Sequence, residues 1–484
     1  MHFKNVAEEI EKFEEKNMDF LLHHSSYGWS SWYILKKPLY NFFRNKTIKK
    51  TSVTSSGRNL AVNLAPTIIS FLKLMFAIIT KRNSVLLYSY SGYRSSVENA
   101  TPKNPFLDYF VLNNRDQKFL YFESFGGLPK NRDVEVPSDF NIKHFKPVIG
   151  IIKLFLKKKK VLKSSSKEFT VRFNQYFLDS PMKVTDDLVL TALSSFLAEY
   201  WFYSYIFRWL KPKKIMMVDG VPTGFLAAAV RNNIPVYEFQ HGLIGDNKFE
   251  YFVNPNFLKV ANRIAYPQKI IVFGDYFREI VCKSGFWKSG DVVPVGHSSI
   301  ELVRQKKGQA RIPISGKIKT LLFITQPSIH LLCLQFLESL SGKEISFKVL
   351  IKPHPAEGKE NLNAYHHFAS KHADVEVIEG SVSLYTSFLS SDAVIGYHST
   401  SLLEAVAVGI PVFTISTEHF KMGINSYLEN EISDVIKVVD TPDDLVNLVS
   451  KMGGEELSKW RNETEKIGRY FYKDDYLTNI SSLL

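Results

Sequence analysis

One local pattern recurs along this chain: a short apolar run, a polar loop, a helical stretch and another apolar run. Its clearest instance lies between Ser346 and Ile415. Phe347–Ile351 ends in Lys352-Pro353-His354-Pro355, and Ala393–Tyr397 ends in His398-Ser399-Thr400-Ser401. The helical pattern that follows closes at Gly409, and Pro411-Val412-Phe413 opens the next run. Strand, loop, helix, strand is a βαβ unit. Such units give parallel sheets, and open α/β sheets bind ligands at the carboxyl ends of their strands.

The same reading carries through the rest of the chain. Strands are expected at Ser84–Tyr90, Phe119–Glu123, Lys214–Val218, Pro235–Phe239, Ile270–Phe273 and Val292–Val295. A second series is expected at Thr320–Ile324, Phe347–Ile351, Val375–Ile378, Ala393–Tyr397, Val412–Ile415 and Ile436–Val439. Helices are expected over Thr185–Leu210, where Lys211-Pro212 ends the run, and over Thr223–Arg231, Asp443–Met452 and Leu457–Tyr472. Ser298–Pro313 is polar and basic and reads as a linker, while about 127–180 has no clear order. Residues 1–80 thus form a basic helical segment. Two Rossmann-like domains follow over 81–305 and 306–455, and residues 456–484 form a helix that crosses back.

A length of 484 residues exceeds one ordinary core, and 45% hydrophobic with 23% charged residues fits a folded chain. Cys282 and Cys333 are too few for a disulfide framework or a cysteine metal site, so a reducing compartment is expected. The opening residues carry charge where a secretory signal needs an apolar stretch. Pro66–Ile79 and Leu188–Leu210 contain charged or hydroxyl residues and read as buried or interfacial helices. The expected location is cytoplasmic.

A net charge of +13 implies an anionic partner. Lys157–Lys160 follow the apolar residues from Val148 to Leu156, the arrangement of a segment lying on an anionic membrane surface. Aromatic stacking motifs do not accompany the basic runs, so nucleic acid is not an expected partner. Peripheral attachment to the inner face of a cell membrane is the resulting expectation.

The loops carry the candidate chemistry. Ser401-Leu402-Leu403-Glu404 reads as a capping box, with Ser401 at the N-cap and Glu404 three residues on. Its first amides, with Ser399 and Thr400 beside them, suit a phosphate, and Glu404 could instead accept ribose hydroxyls. Pro353 and Pro355 fix the backbone around His354, so His354 or Lys352 could meet a ligand phosphate. Gln326, after the Thr320–Ile324 strand, and His398, after Ala393–Tyr397, are further candidate donor-site residues. Asp219 and His241 end what should be adjacent parallel strands and are the candidate acid/base or nucleophile pair. Ser91 and Arg94 sit in a small polar loop that could receive an acceptor. The chain has no D-x-D, H-x-x-x-H or C-x-x-C spacing, so no metal is expected.

Taken together, these features resemble the GT-B class of glycosyltransferases, α/β enzymes with two Rossmann-like domains facing a cleft. Lys352-Pro353-His354-Pro355, Ser399-Thr400-Ser401, Glu404-Ala405 with Gly409 and Pro411, and Gln240-His241-Gly242 look like motifs of bacterial capsule and lipopolysaccharide transferases. That group includes Kdo-transferases, sialyl- and polysialyltransferases, and the polyol-phosphate transferases of wall teichoic acid. The resemblance implies a donor nucleotide at the His354 and Ser399–Glu404 loops, with a nucleotide-sugar as substrate and no cofactor. It implies a CMP-sugar, such as CMP-Kdo or CMP-sialic acid, and an oligosaccharide or lipid-linked acceptor. Asp219 would be base or nucleophile, with His241 assisting. Many retaining GT-B enzymes place a second Glu eight residues after the first; here position 412 is Val, which weakens a UDP- or GDP-hexose donor. A nucleotide-sugar 2-epimerase and a non-catalytic assembly scaffold are the rival readings.

Overall fold

The structure is a computed structural model describing residues 3–47, 64–91, 94, 103–124, 134–218, 223–244, 251, 253–310, 316–397, 399–416 and 435–483. Two parallel sheets organise it. The first contains β1 (Val85–Tyr90), β2 (Phe119–Ser124), β3 (Phe140–Asn141), β4 (Lys214–Val218), β5 (Val236–Phe239), β6 (Lys269–Val272) and β7 (Val292–Pro294), in the order β3-β2-β1-β4-β5-β6-β7. The second contains β8 (Thr320–Ile324), β9 (Lys348–Lys352), β10 (Val375–Val377), β11 (Ala393–Gly396), β12 (Val412–Ile415) and β13 (Ile436–Val439), in the order β10-β9-β8-β11-β12-β13. The expected strands agree with these within a residue or so at each end; of these, only the short β3, inside the stretch with no clear order, was not expected. The fold is α/β, with two Rossmann-like sheets and a helical amino-terminal segment.

Each sheet starts in its middle, builds outward one way and then returns to build the other way. The reversal lies between β1 and β4 in the first sheet and between β8 and β11 in the second. At a reversal the flanking loops part to opposite faces and leave a crevice above the carboxyl ends. At the second, Gly396 lies so near β8 that a Cβ there would sit 3.2 Å from the Ile324 carbonyl oxygen.

The helical segment comprises α1 (Phe3–Lys16), α2 (Ser31–Thr47) and α3 (Leu64–Thr80). Phe13 of α1 packs against Trp32 and Phe173, with ring centroids 5.3 and 4.9 Å apart, so the aromatic-rich start of the chain joins the first core. The stretch 127–180, unordered in the sequence reading, contains α4 (Lys146–Lys157) and α5 (Lys160–Tyr176). The lysines of α5 face solvent and obscure its apolar pattern, whereas its Phe169 and Phe173 are fully buried. Helix α6 (Asp186–Leu210) starts where Thr185 accepts the Leu188 amide and ends at Lys211 in left-handed conformation. It packs between these helices and α7 (Thr223–Arg231), buried as expected.

The expected linker at Ser298–Pro313 is a correction: Ser298–Ala310 is helical (α8) and anchors the second domain. Its Arg304 donates to the Ala407, Tyr472 and Gly468 carbonyls and pairs with Asp474. A polar surface concealed a helix whose Ile300 and Val303 are buried. After α9 (Thr400–Ala407), α10 (Gly454–Phe471) and α11 (Tyr476–Ser481) return to the first domain. Tyr472 stacks on Phe273 at 4.9 Å, and the Tyr476 hydroxyl donates to the Phe106 carbonyl.

Candidate functional site

The carboxyl edges of the two sheets meet at an aromatic seam. His297 follows β7, Tyr385 lies in the helix after β10, and their ring centroids are 6.1 Å apart. Phe106, Phe273 and Tyr472 close around His297, and burial pushes its pKa down to about 3, so it is neutral. Glu404 lies near this seam, close enough for its charge to raise the Tyr385 and Tyr472 hydroxyl pKa values, which burial raises most. Burial raises the Glu404 carboxyl from 4.5 to about 7.

On the second sheet, the loops after β9, β8 and β11 are neighbours, because β9 and β11 both pair with β8. Strands pack about 4.8 Å apart, so the His354 and Ser399 loops stand roughly 10 Å apart across Gln326. A relay fixes the first: the His354 amide donates to Thr325 Oγ1, which donates to Glu357, which also accepts from Asn361. The His354 Nδ1 accepts the Ala356 amide at 3.0 Å, so the neutral imidazole carries its proton on Nε2. Burial lowers the His354 pKa, which favours this neutral donor. Pro355 follows as an exposed residue that stiffens the turn. Thr325, Glu357 and Tyr385 were not singled out from sequence. A threonine at a strand end and a glutamate just past the His-Pro turn were the available signals.

Two expectations at these loops change. Lys352 is buried, and its ammonium donates to the Glu379 and Val382 carbonyls, so it holds a loop of its own domain. The N-cap of α9 is Ser399, which accepts the Ser401 amide at 3.3 Å; helix begins at Thr400. Ser401 is therefore inside the helix and Glu404 cannot close a capping box. Three successive hydroxyl residues could each cap, and burial of Leu402, Leu403 and Val406 decides which one does. Thr400 and Ser401 remain at the helix start, beside the β8/β11 crevice.

On the first sheet, Gln240 is clamped: its side-chain oxygen accepts the Phe273 amide and its nitrogen donates to Gly242. That clamp fixes the turn carrying His241. Val218 pairs with Phe239, so the chain leaves neighbouring strands β4 and β5 at one level. Asp219 and His398 lie outside the described residues. Ser91 directly follows β1 at the β1/β4 reversal and is buried. Arg94 is engaged inside the fold: it pairs with Asp108 and Glu123 and donates to the Val136 carbonyl. Burial pushes Asp108 up to about 6 despite the guanidinium. Glu238 turns to the sheet face covered by α2, lining a cavity of about 130 Å³ with Tyr33 and Lys36.

No family model matches the chain, and no curated protein matches it in sequence. Among solved structures it is similar to the Neisseria meningitidis UDP-GlcNAc 2-epimerase bound to UDP-GlcNAc, at 13% identity and a TM-score of 0.45, covering 82% of this chain and 96% of that one. It is also similar to Acinetobacter baumannii MurG, at 10% identity and a TM-score of 0.44, covering 83% and 98%. A variant of the wall teichoic acid polymerase TagF soaked with CDPG matches at 12% identity and a TM-score of 0.42, covering 87% and 96%.

Proposed function

We propose that this chain is a glycosyltransferase that moves a sugar from a nucleotide-activated donor to a saccharide acceptor. The observation that carries the reading is a strand-order reversal in each sheet, with the carboxyl edges of the two sheets meeting at the His297–Tyr385 seam. The second sheet offers a neutral imidazole donor and a capped helix start, which suit the phosphate of a donor nucleotide. The first offers a clamped His241 and the end of β4, which suit the acceptor hydroxyl.

In the proposed reaction Asp219, or His241, takes the proton of the acceptor hydroxyl as its oxygen bonds to the anomeric carbon. The bond from that carbon to the donor phosphate breaks, and the nucleotide leaves with the electron pair. His354 Nε2–H and the first amides of α9 stabilise the charge on the leaving phosphate. Closing the seam over both substrates excludes water, which would otherwise hydrolyse the donor. The motif resemblance favours a CMP-sugar donor, CMP-Kdo or CMP-sialic acid, and a surface polysaccharide or glycolipid acceptor.

Thermal shift with CMP, CDP, UDP, GDP and ADP tests the reading. Saturation at a hundredfold over Kd stabilises by about 2.7 kcal/mol. Selective stabilisation by CMP, lost in His354→Ala and Ser399→Ala, is the expected result. Selectivity for UDP or GDP replaces the donor. Conversion of the donor sugar without any acceptor makes the protein an epimerase, and stabilisation by none of the five overturns the enzyme reading in favour of a scaffold.

A further inference from the structure

Helix α3 is built the wrong way round for a helix on a water-exposed surface. Its inward face is mixed: Thr67 donates to the His144 carbonyl and Ser70 hydrogen-bonds His144 Nδ1, each at 2.8 Å, while Phe71 packs edge-on against Phe145 and Phe202, and Leu74 and Ala77 complete the contact. Its outward face carries Ile68, Ile69, Leu72, Met75, Phe76 and Ile79, each between 52% and 79% exposed. Their spacing, i, i+1, i+4, i+7, i+8 and i+11, makes one continuous stripe on a helix. At 17 residues the helix extends about 25 Å. Exposed apolar stripes of this size mark an interaction surface.

A second stripe adjoins it. His144 and Phe145, on which α3 rests, lead directly into α4, whose Ile151, Leu154 and Phe155 are also more than half exposed. Lysines rim both stripes: Lys73 on α3, Lys143 and Lys146 before and at the start of α4, and Lys158–Lys160 at its end, all exposed. No described helix is long and apolar enough to cross a membrane. Apolar side chains at the centre with long-stemmed cations at the rim match a bilayer surface bearing anionic headgroups.

We propose that α3 and α4 together dock the first domain flat on an anionic phospholipid bilayer, with the α3 stripe immersed among the acyl chains. The fold also sets which part of the domain meets the lipid. Strand β3 pairs with the carboxyl end of β2, and His144 follows β3 almost at once, so Thr67 and Ser70 tie the amino-terminal half of α3 to the carboxyl edge of the sheet. Docking therefore brings the cleft edge of the first domain to the membrane, within reach of a saccharide carried on a lipid. That last consequence rests on the proposed transferase reading; the docking does not.

The test is sedimentation of the full chain with vesicles of phosphatidylglycerol and phosphatidylethanolamine, and separately with phosphatidylcholine alone. Binding to the anionic vesicles is expected, falling at least tenfold in Leu72→Gln/Phe76→Gln. These side chains are exposed, so an unchanged melting temperature without vesicles checks the fold. Lys158→Ser/Lys159→Ser is expected to weaken binding about fivefold per lysine on anionic vesicles and hardly at all on phosphatidylcholine. A wild-type chain left in the supernatant overturns the proposal, as does a glutamine variant that sediments like wild type. A wild-type dimer that ignores vesicles and becomes monomeric in the glutamine variant assigns the stripe to a second copy instead. Nucleotide stabilisation without vesicles is read separately, so vesicle binding with no nucleotide response rejects the transferase and keeps the docking surface.

Discussion

Replacing Glu404 by Gln should stabilise the protein above about pH 4.5, and most above neutral pH. The carboxyl lies near the seam with Tyr385 and Tyr472, where burial raises it from 4.5 to about 7. In the unfolded chain the group ionises near 4.5; in the folded chain it holds its proton until about pH 7. Below pH 4.5 both states are protonated and the group contributes nothing against folding. Between the two values the folded state binds more protons, so stability falls as pH rises, and above pH 7 the full penalty applies. The gap corresponds to about 3 kcal/mol, each pH unit being about 1.36 kcal/mol. Glutamine keeps the shape of the neutral acid and removes the charge. For a cooperative domain of 150–250 residues that is a rise of about 6–12 °C in Tm at pH 8, shrinking almost to nothing at pH 4.5. Calorimetry of both chains across pH 4.5–8.5 measures it. A Tm difference that is flat with pH, or a variant less stable than wild type at pH 8, would refute the argument. The same variant reports on function: if Glu404 accepts ribose hydroxyls, nucleotide stabilisation weakens even as the free protein gains stability.

Arg94→Met leaves Asp108 and Glu123 buried without their cation, so denaturant unfolding should show a loss of about 3–5 kcal/mol, with Asp108→Asn/Arg94→Met recovering part of it. Ser399→Ala removes the N-cap of α9 and should lower stability by about 1 kcal/mol. Ser401→Ala should lower it by less, which urea titration of the two variants distinguishes.

Most of the parallel strands could be read from sequence because they are buried on both faces, and such strands appear as uninterrupted apolar runs such as Leu86–Tyr88 or Leu321–Ile324. Helices that bury one narrow face and present lysine to water were harder to find. Both α5 and α8 were missed for that reason. At the site, the strand-end loops were legible because their residues are punctuation as well as chemistry: Pro353 and Pro355 around His354, and the hydroxyl run at Ser399–Ser401. The side-chain partners were not. Lys352 and Arg94 are cations in polar loops, which sequence reads as available to a ligand, and each is engaged by groups from distant segments, Glu379 and Val382 for one and Asp108 and Glu123 for the other.

By itself, then, the sequence determined two parallel α/β sheets and the loops that end their strands, because apolar runs and turn residues act over a few positions. Tertiary structure decided strand order, and with it the reversals at β1/β4 and β8/β11 where ligands can enter. It decided which of three hydroxyls caps α9, since burial of Leu402 and Leu403 sets the helix axis. It also decided which way α3 faces. An apolar helix can turn most of its large side chains inward or outward; the hydrogen bonds of Thr67 and Ser70 to His144, with Phe71 packed beside them, leave Ile68, Ile69, Leu72, Met75, Phe76 and Ile79 outward.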